Sequence, residues 1–300
     1  MPTWNGAATI RDALDSIVAE LDGHPRAGEV ELLISDNAST DATPEIVQAV
    51  AEAHPQLALR YARNDENLGY DRNVDLLFER AHGTHVWLLA DDDALLPGAV
   101  DRILGVLDAH PDLDVVLLNF DFHDEQLEEL IHRMELNGGE DRLCSDGDDF
   151  ATHASGRFGL MSALLFRVAC WKATDLTHAV GRNHIHIHKL FEALPTARSY
   201  IVASPVSKAR RGSSRFEDSG DSMITVPLEL LKVFRSLTSP PYAQATIDRL
   251  VADQRKYLFS RLRTASRRGF EHRWRLLADL ARHNYDYGPF WSKSRHFFGL

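Results

Sequence analysis

The chain has 300 residues, of which 44% are hydrophobic and 26% are charged, a composition typical of a globular protein and not of a disordered one. No apolar run approaches the roughly 18 residues that span a bilayer, and no signal-peptide pattern opens the sequence, so we expect a soluble protein of the cytoplasm. The net charge of −11 disfavours general binding to nucleic acid, because such binding requires positive charge to neutralise phosphates.

The first 120 residues alternate helix and strand patterns. Apolar residues at helical spacing predict helices over 10–21, 44–50, 74–81 and 98–109. Short apolar runs between them predict strands over 30–35, 57–61, 85–90 and 115–120. Strands separated by helices of this length imply parallel pairing with right-handed crossovers. The sequence therefore predicts an α/β fold with a mostly parallel sheet flanked by helices.

The rest of the chain has weaker patterns. Residues 121–156 are polar and predict loops, 159–171 predicts a strand or a buried segment, and 200–203 predicts the last strand. We expect a flexible stretch at 207–214. From Pro227 onward the pattern is helical, with a break at Pro240-Pro241. We therefore expect one domain over 1–225 and a helical C-terminal region over 226–300.

The end of the chain is basic, with 12 Lys and Arg against 4 Asp and Glu in residues 249–300. Apolar residues are interleaved with arginines there, namely Phe259, Leu262, Phe270 and Trp274 with Arg261, Arg263, Arg267, Arg268, Arg273 and Arg275. This pattern predicts either peripheral contact with the inner, anionic face of a membrane or a solvated helix that packs its apolar residues on the core.

Three polar clusters follow the ends of predicted strands, at 36–41, 64–73 and 91–93. In parallel α/β sheets, ligands bind beyond the carboxyl ends of the strands. The coincidence of the three clusters therefore predicts a binding site at this edge of the sheet.

The cluster Asp91-Asp92-Asp93 places three carboxylates at the end of a buried strand. Like charges this close raise one another's pKa unless a cation neutralises them. Carboxylate oxygens suit Mg²⁺ or Mn²⁺, which complete their coordination with water and substrate phosphates. The alternative is an acidic helix N-terminus that the helix dipole favours.

The other two clusters suggest contacts to a nucleotide. Asp36 stands at a strand end, where its carboxylate is suited to accept hydrogen bonds from a base or from ribose hydroxyls. Arg72 and Asn73 open a helix from which a guanidinium and an amide reach outward. A local turn at 36–41 and an exposed helix arginine are the alternatives.

Four motifs in order resemble family 2 glycosyltransferases. They are Pro2-Thr3-Trp4-Asn5-Gly6, Ser35-Asp36-Asn37-Ala38-Ser39-Thr40-Asp41, Asn67-Leu68-Gly69 with Arg72-Asn73, and Asp91-Asp92-Asp93. The Asn67–Asn73 segment is similar to sugar transferases of surface-polysaccharide assembly, including the abequosyltransferase-like branch. The resemblance implies a GT-A fold and a nucleotide-sugar donor.

The resemblance also implies roles for individual residues. Thr3 and Trp4 would flank the base, Asp36 would bind it, and Arg72 would contact the nucleotide. Asp91 would bind ribose or metal-bound water, and Asp93 would hold Mn²⁺ or Mg²⁺ at the diphosphate. Lys208, Arg210 and Arg211 fall where the family often has a mobile loop that closes on the donor, and a plain surface loop is the alternative.

Two features depart from the family pattern. Met1 stands directly before Pro2, where family members have an apolar strand; we expect the natural product to carry about five to eight more apolar residues there, the usual length of a strand.

The second departure concerns the catalytic base, because the usual Glu-Asp pair is absent after residue 170. His184, His186 and His188 stand in its place, with a spacing that suits one face of a strand better than a metal site on a helix. We expect His186 to be the base, with Asp175 second and His184 third, since an imidazole titrates near neutral pH. A histidine packed at the start of a helix is the alternative.

The resemblance therefore implies a metal-dependent, inverting glycosyltransferase of the hexosyl or deoxyhexosyl type. It would move a sugar from a nucleotide-sugar to a glycan or a lipid-linked acceptor in the assembly of a cell-envelope polysaccharide. A sugar nucleotidyltransferase is an alternative, although no basic residue precedes Arg11 in the loop where such enzymes need one. A catalytically degenerate protein that binds sugar nucleotides is the other.

Overall fold

The computed structural model describes residues 1–154, 156–174, 184–211 and 220–294, except for the side chains of Arg157 and Arg263. The helices before residue 213 are α1 Ile10–Leu21, α2 Thr43–Ala53, α3 Tyr70–Arg80, α4 Ala99–Ala109, α5 Gly147–His153, α6 Val168–Ala173 and α7 Ile185–Ala193. The strands are β1 Pro2–Thr3, β2 Leu32–Asp36, β3 Leu59–Arg63, β4 His85–Trp87, β5 Ala94–Leu95, β6 Val115–His123, β7 Leu130–His132, β8 Arg142–Leu143, β9 Leu164–Arg167 and β10 Ser199–Arg210. The later helices are α8 Ser222–Ser236, α9 Gln244–Arg268, α10 Arg273–Asn284 and α11 Gly288–Lys293.

The chain divides into two compact units, Met1–Ser213 and Ser214–Leu300. The boundary predicted after residue 225 falls inside α8. Within the described ranges, no helix is long and apolar enough to cross a membrane.

Sheet A consists of β1, β2 and β3 in that order, and all three strands are parallel. Thr3 lies opposite Asp36, and Asp36 lies opposite Arg63, so the polar carboxyl ends of the three strands meet at one edge. Helix α1 buries Ile10, Leu14, Ile17 and Leu21, as its spacing predicts. The parallel α/β prediction is confirmed for this half of the unit.

Sheet B is mixed, with the central order β4-β9-β6-β10-β5, while β7 pairs with β6 and β8 with β10. Its β6–β10 pair is parallel, and β9 runs antiparallel to both β4 and β6. The predicted strand at 85–90 ends at Trp87, after which Leu88 still bonds to Leu164 and the chain turns toward the aspartates. The expectation of a mostly parallel sheet is therefore wrong for sheet B.

Three segments differ from their predictions. Strand β10 continues to Arg210, so the flexible loop predicted at 207–214 is wrong for its first four residues; residues 212–214 lie outside the described part. Segment 121–156 was predicted as loops, but it contains α5, whose cap Asp146 accepts a hydrogen bond from the backbone N–H of Asp149 at 2.8 Å. Helix α7 begins at Ile185, so His186 and His188 lie on a helix and not on a strand face.

The C-terminal unit packs its helices around apolar side chains of its own, including Leu228, Leu231, Leu258 and Leu280. Phe259 and Leu262 are buried in this core, and Phe270 packs against it. For these three residues the structure agrees with the alternative of packing on the core, whereas Trp274 is exposed.

Candidate functional site

The carboxylate of Asp91 lies against the end of β1. Thr3 donates its hydroxyl hydrogen to Asp91 Oδ2 at 2.5 Å. A Cβ atom on Gly6 would lie 2.4 Å from that oxygen and 2.6 Å from the Thr3 hydroxyl, so a larger residue here would displace the Thr3–Asp91 pair. Trp4, next to Thr3, is exposed. The structure thus brings Thr3 and Asp91 together, although they are far apart in sequence.

Asp36 is fully buried at the end of β2, and the protein itself binds both of its carboxylate oxygens. Ser39 donates to Oδ1 from its backbone N–H at 2.9 Å and from its hydroxyl at 2.5 Å. Oδ2 accepts from the Tyr61 hydroxyl and lies 3.6 Å from Arg63 Nε. Burial and the Asp36 carboxylate raise the pKa of Tyr61, so Tyr61 stays a neutral donor.

A buried network of amides ties the ends of β2 and β3 to α3. Asn73 donates to the Ser35 carbonyl at 2.9 Å, and its own oxygen accepts from the Ser35 hydroxyl and from Asn64. Asn64 also donates to Asn37 at 3.0 Å. Asn73, considered as a nucleotide contact from the sequence, is occupied within this network.

Arg72 lies on the outer side of the same helix turn. Its guanidinium is ion-paired with Asp75 at 2.8 Å and with Glu79 at 2.7 Å, and the Arg72 side chain is 40% exposed. The structure therefore does not bring Arg72 into contact with Thr3, Asp36 or Asp91. Its role toward a nucleotide stays a prediction.

Asp93 is 2% exposed, and its carboxylate lies between Ser162, which precedes β9, and Arg210 at the end of β10. Oδ2 accepts the hydroxyl hydrogen of Ser162 at 2.5 Å, and Oδ1 accepts the backbone N–H of Arg210 at 3.0 Å. Burial, and then the charge of Asp92, raise the pKa of Asp93 to about 8. A cation at this carboxylate would favour its ionised form and lower that pKa.

The side chain of Arg210 connects the end of β10 to the turn at Asp91-Asp92-Asp93. Its Nε donates to the Asp92 carbonyl at 2.8 Å, and its guanidinium is ion-paired with Asp12 of α1 at 2.6 Å. Lys208 donates to the Leu127 carbonyl at 2.9 Å. Both residues are thus bound within a strand, and the mobile basic loop expected at 208–211 is corrected accordingly.

The predicted base, His186, is buried on α7. The Tyr70 hydroxyl lies 3.0 Å from Nδ1, and the buried Nε2 has no hydrogen-bond partner among the residues that the structure describes. Burial, and then the neighbouring His184, lower the pKa of His186 to about 3. A group with this pKa is a weak proton acceptor near neutrality, which removes the titration argument for His186 as base.

The other candidate residues for the base or for a histidine metal site are Asp175, His184 and His188. Asp175 lies outside the described residues. His184 and His188 are buried beside His186, and no group of three or more His, Cys, Asp or Glu side chains in the described part of the chain converges as a metal site. A cation at Asp91 and Asp93 would therefore rely on one or two protein carboxylates, the number that Mg²⁺ usually takes.

Sequence reasoning missed Ser162, Tyr61 and Gly6. Ser162 is fully buried, donates to Asp93 and accepts from the backbone N–H of Ala90 at 3.0 Å. It precedes β9 in a segment without a polar pattern, so its sequence carries no signal of this contact. Of these three residues, only Gly6 had a signal in the sequence, because it belongs to the first of the four motifs.

The sequence resembles known glycosyltransferases. A family model described as Glycosyl transferase family 2 matches residues 1–167. The abequosyltransferase RfbV of Salmonella typhimurium is 25% identical over 238 residues, which cover 73% of this chain and 68% of that protein.

Solved structures resemble the fold at low sequence identity. The crystal structure of S. aureus TarS 1–349 superposes with a TM-score of 0.66 at 17% identity, over 99% of this chain and 87% of that chain. The mannosyltransferase PcManGT from Pyrobaculum calidifontis, in complex with GDP-Man and Mn²⁺, superposes with a TM-score of 0.59 at 19% identity, over 99% of this chain and 82% of that one. These likenesses confirm the expected GT-A-type α/β fold.

Proposed function

The chain belongs to glycosyl transferase family 2, and we propose that it moves a hexosyl or deoxyhexosyl group from a nucleoside diphosphate sugar to a glycan or a lipid-linked sugar. One observation supports this most: Thr3, Asp36 and Asp91 meet at the carboxyl edge of a parallel sheet, where such folds bind nucleotides. The abequosyltransferase relative supports a role in cell-envelope polysaccharide assembly. The family favours glycosyl transfer over the sugar nucleotidyltransferase alternative.

In this proposal, the edge of sheet A binds the nucleoside. Trp4 offers an exposed ring beside Thr3 for stacking on the base, and Asp36 accepts from the base once it gives up a bond from Ser39 or Tyr61. Arg72 reaches the nucleotide by leaving its surface ion pairs, which typically contribute only about 0–1 kcal/mol. Arg210 acts by holding the turn of aspartates in place.

Asp93 and Asp91 are the residues that would hold Mn²⁺ or Mg²⁺. Their carboxylate oxygens are hard ligands, and the raised pKa of Asp93 marks a buried acid that a cation would ionise. When bound, the cation supplies positive charge for the diphosphate that leaves. The mannosyltransferase with GDP-Man and Mn²⁺ supports this cofactor class.

The transfer is proposed to invert the anomeric centre. An acceptor hydroxyl attacks the anomeric carbon on the face opposite the diphosphate, the bond to the phosphate oxygen breaks, and a base takes the hydroxyl proton. Asp175 and His186 are the two candidates for this base. Because the low pKa of His186 makes it a weak base, we rank Asp175 above His186 as the candidate base.

Nucleotide binding tests the proposal directly. We expect UDP, GDP or CDP with Mn²⁺ to raise the thermal midpoint of the chain, because a ligand that binds only the folded state stabilises it. Asp36→Asn should weaken that binding, whereas Asp253→Asn, at an exposed carboxylate of the C-terminal unit, should leave it unchanged. No shift with any nucleoside diphosphate would contradict the proposal.

A further inference from the structure

Helix α10 has two different faces. Leu276 and Leu280 are buried in the core of the C-terminal unit, and Leu277 packs against it. The opposite face consists of exposed residues at helical spacing, namely Trp274, Arg275, Ala278 and Arg282. We name these four residues the outer face of α10. It contains no acidic residue, because Asp279 lies toward the side of the helix where it pairs with Lys232.

The aromatic residue on this face is unusually exposed. Trp274 is 66% exposed. All large apolar side chains that are more than half exposed in the described part of the chain belong to the C-terminal unit; they are Tyr257, Trp274, Tyr285 and Trp291. The N-terminal unit, which carries the proposed catalytic site, has no comparable aromatic surface among its described residues.

Four exposed arginines lie at the end of α9 and on α10. Arg267, Arg273, Arg275 and Arg282 are exposed, and none of them has a carboxylate partner among the residues that the structure describes. Residues 214–300 carry 15 Lys and Arg against 9 Asp and Glu, whereas residues 1–213 carry 18 against 35. The two units therefore have net charges of opposite sign, and that of the C-terminal unit is positive.

The corner between α9 and α10 is held firmly. The Asp221 carboxylate accepts the backbone N–H groups of Glu271 and His272, at 3.0 and 2.9 Å. A Cβ atom on Gly220 would lie 2.0 Å from the Gly269 carbonyl, so the backbones meet at the closest distance that glycine permits. The outer face of α10 is thus presented on a packed scaffold and needs no ordering on binding.

We infer that the outer face of α10 docks on the surface of an anionic lipid bilayer, with Trp274 at the level of the headgroups and the arginines on lipid phosphates. Tryptophan prefers the membrane–water interface because its ring is apolar and its N–H is polar. Arginines on the same face are attracted by anionic headgroups within a Debye length. This inference rests on the C-terminal unit alone and not on the proposed function.

The test is co-sedimentation of the full chain with vesicles. We expect binding to vesicles of phosphatidylcholine with phosphatidylglycerol at 3:1 and little binding to phosphatidylcholine alone, with binding falling as salt rises. Arg275→Gln with Arg282→Gln should lower the partition coefficient about 25-fold, since each basic residue near an anionic surface contributes a factor of about five. Trp274→Ala should lower it several-fold at unchanged charge.

A matched control removes the same charge from the other unit. Arg11→Gln with Arg198→Gln changes two exposed arginines of the N-terminal unit, and it should bind vesicles like the parent chain. Equal and negligible binding to both kinds of vesicle would overturn the inference. So would an equal loss in the control, or a dimer that light scattering detects and that Trp274→Ala dissociates, because a second copy of the chain would then be the occupant.

Discussion

At the scale of single residues, Asp93 dominates the electrostatics of the candidate site. Folding buries its carboxyl group beside Asp92 and gives it two donors, the Ser162 hydroxyl and the Arg210 backbone N–H. These two hydrogen bonds lower the pKa of Asp93, but burial and the charge of Asp92 outweigh them. Near neutral pH these effects favour the protonated form of Asp93 when no cation is bound.

This balance predicts how stability depends on pH. The folded pKa of about 8 lies above the ordinary value of 3.8, so the folded state binds the proton more tightly. Without metal, the contribution of Asp93 to the free energy of unfolding should be fully present below about pH 4 and should be lost as pH rises toward 8. Asp93→Asn removes this dependence and should be more stable than the parent at pH 8.5 in EDTA, by more than about 1 kcal/mol.

Denaturant melts at pH 5 and pH 8.5 measure that difference. Mn²⁺ should restore stability to the parent chain at pH 8.5 and do nothing for Asp93→Asn. Asp253→Asn, at a carboxylate whose side chain is 65% exposed, serves as the control and should follow the parent. The same pH dependence of stability in Asp93→Asn and in the parent would contradict the raised pKa of Asp93.

The catalytic base gives a second prediction at this scale. Asp175→Asn should lower the rate of transfer by about 10²–10⁴-fold while nucleotide binding survives, as is typical on removal of a general base. His186→Ala should lower the rate less, and its effect should come with a loss of stability, because His186 is buried and bonded to Tyr70. Turnover and thermal midpoint of the two variants are compared to identify the base. Normal turnover in Asp175→Asn would exclude Asp175 as the base.

At the scale of elements, the amide network explains how the strand ends keep their register. Asn73 bridges β2, β3 and α3 with three hydrogen bonds. We expect Asn73→Ala to destabilise the chain by about 2–4 kcal/mol, because it leaves buried donors of Ser35 and Asn64 unpaired, and each unsatisfied group costs about 1–3 kcal/mol. Gln48→Ala, on the exposed side of α2, should change the unfolding free energy by less than about 1 kcal/mol. Equal effects of the two substitutions would contradict the role of the network.

Elements with one apolar face were predictable, and elements without one were not. Helix α1 buries one stripe, so its spacing in the sequence predicts its bounds. Helix α7 is buried all round from Ile185 to Phe191, so it has no period, and its alternating histidines resemble a strand face. The second half of strand β10 lacks an apolar pattern for a different reason. After Val206 its inward positions are the small residues Ser207 and Ala209, and its outward positions are Lys208 and Arg210.

The site itself was predictable in part. The motifs locate Thr3, Asp36, Asp91 and Asp93, and the strand-end rule puts the first three at one edge of a sheet. Contacts made across the fold carry no local signal. The pairing of Ser162 with Asp93 spans 69 residues and that of Arg210 with Asp93 spans 117, so neither follows from spacing in the chain.

At the scale of the whole molecule, the chain combines an acidic unit with the proposed catalytic edge and a basic helical unit. The net charge is −17 over residues 1–213 and +6 over residues 214–300, so the two units interact differently with a charged surface. The acidic unit would repel an anionic bilayer, whereas the basic unit would be drawn to it.

Turnover of nucleotide-sugars tests the central claim most directly. The purified chain is incubated with Mn²⁺ and a panel of UDP-, GDP- and CDP-linked sugars, water takes the place of the acceptor, and the nucleoside diphosphate released by hydrolysis is measured. The account predicts release from at least one donor, reduced by at least about 10²-fold in Asp93→Asn, since loss of charge stabilisation at the reacting centre typically has that effect. No release from any donor, or equal release by Asp93→Asn, would contradict it.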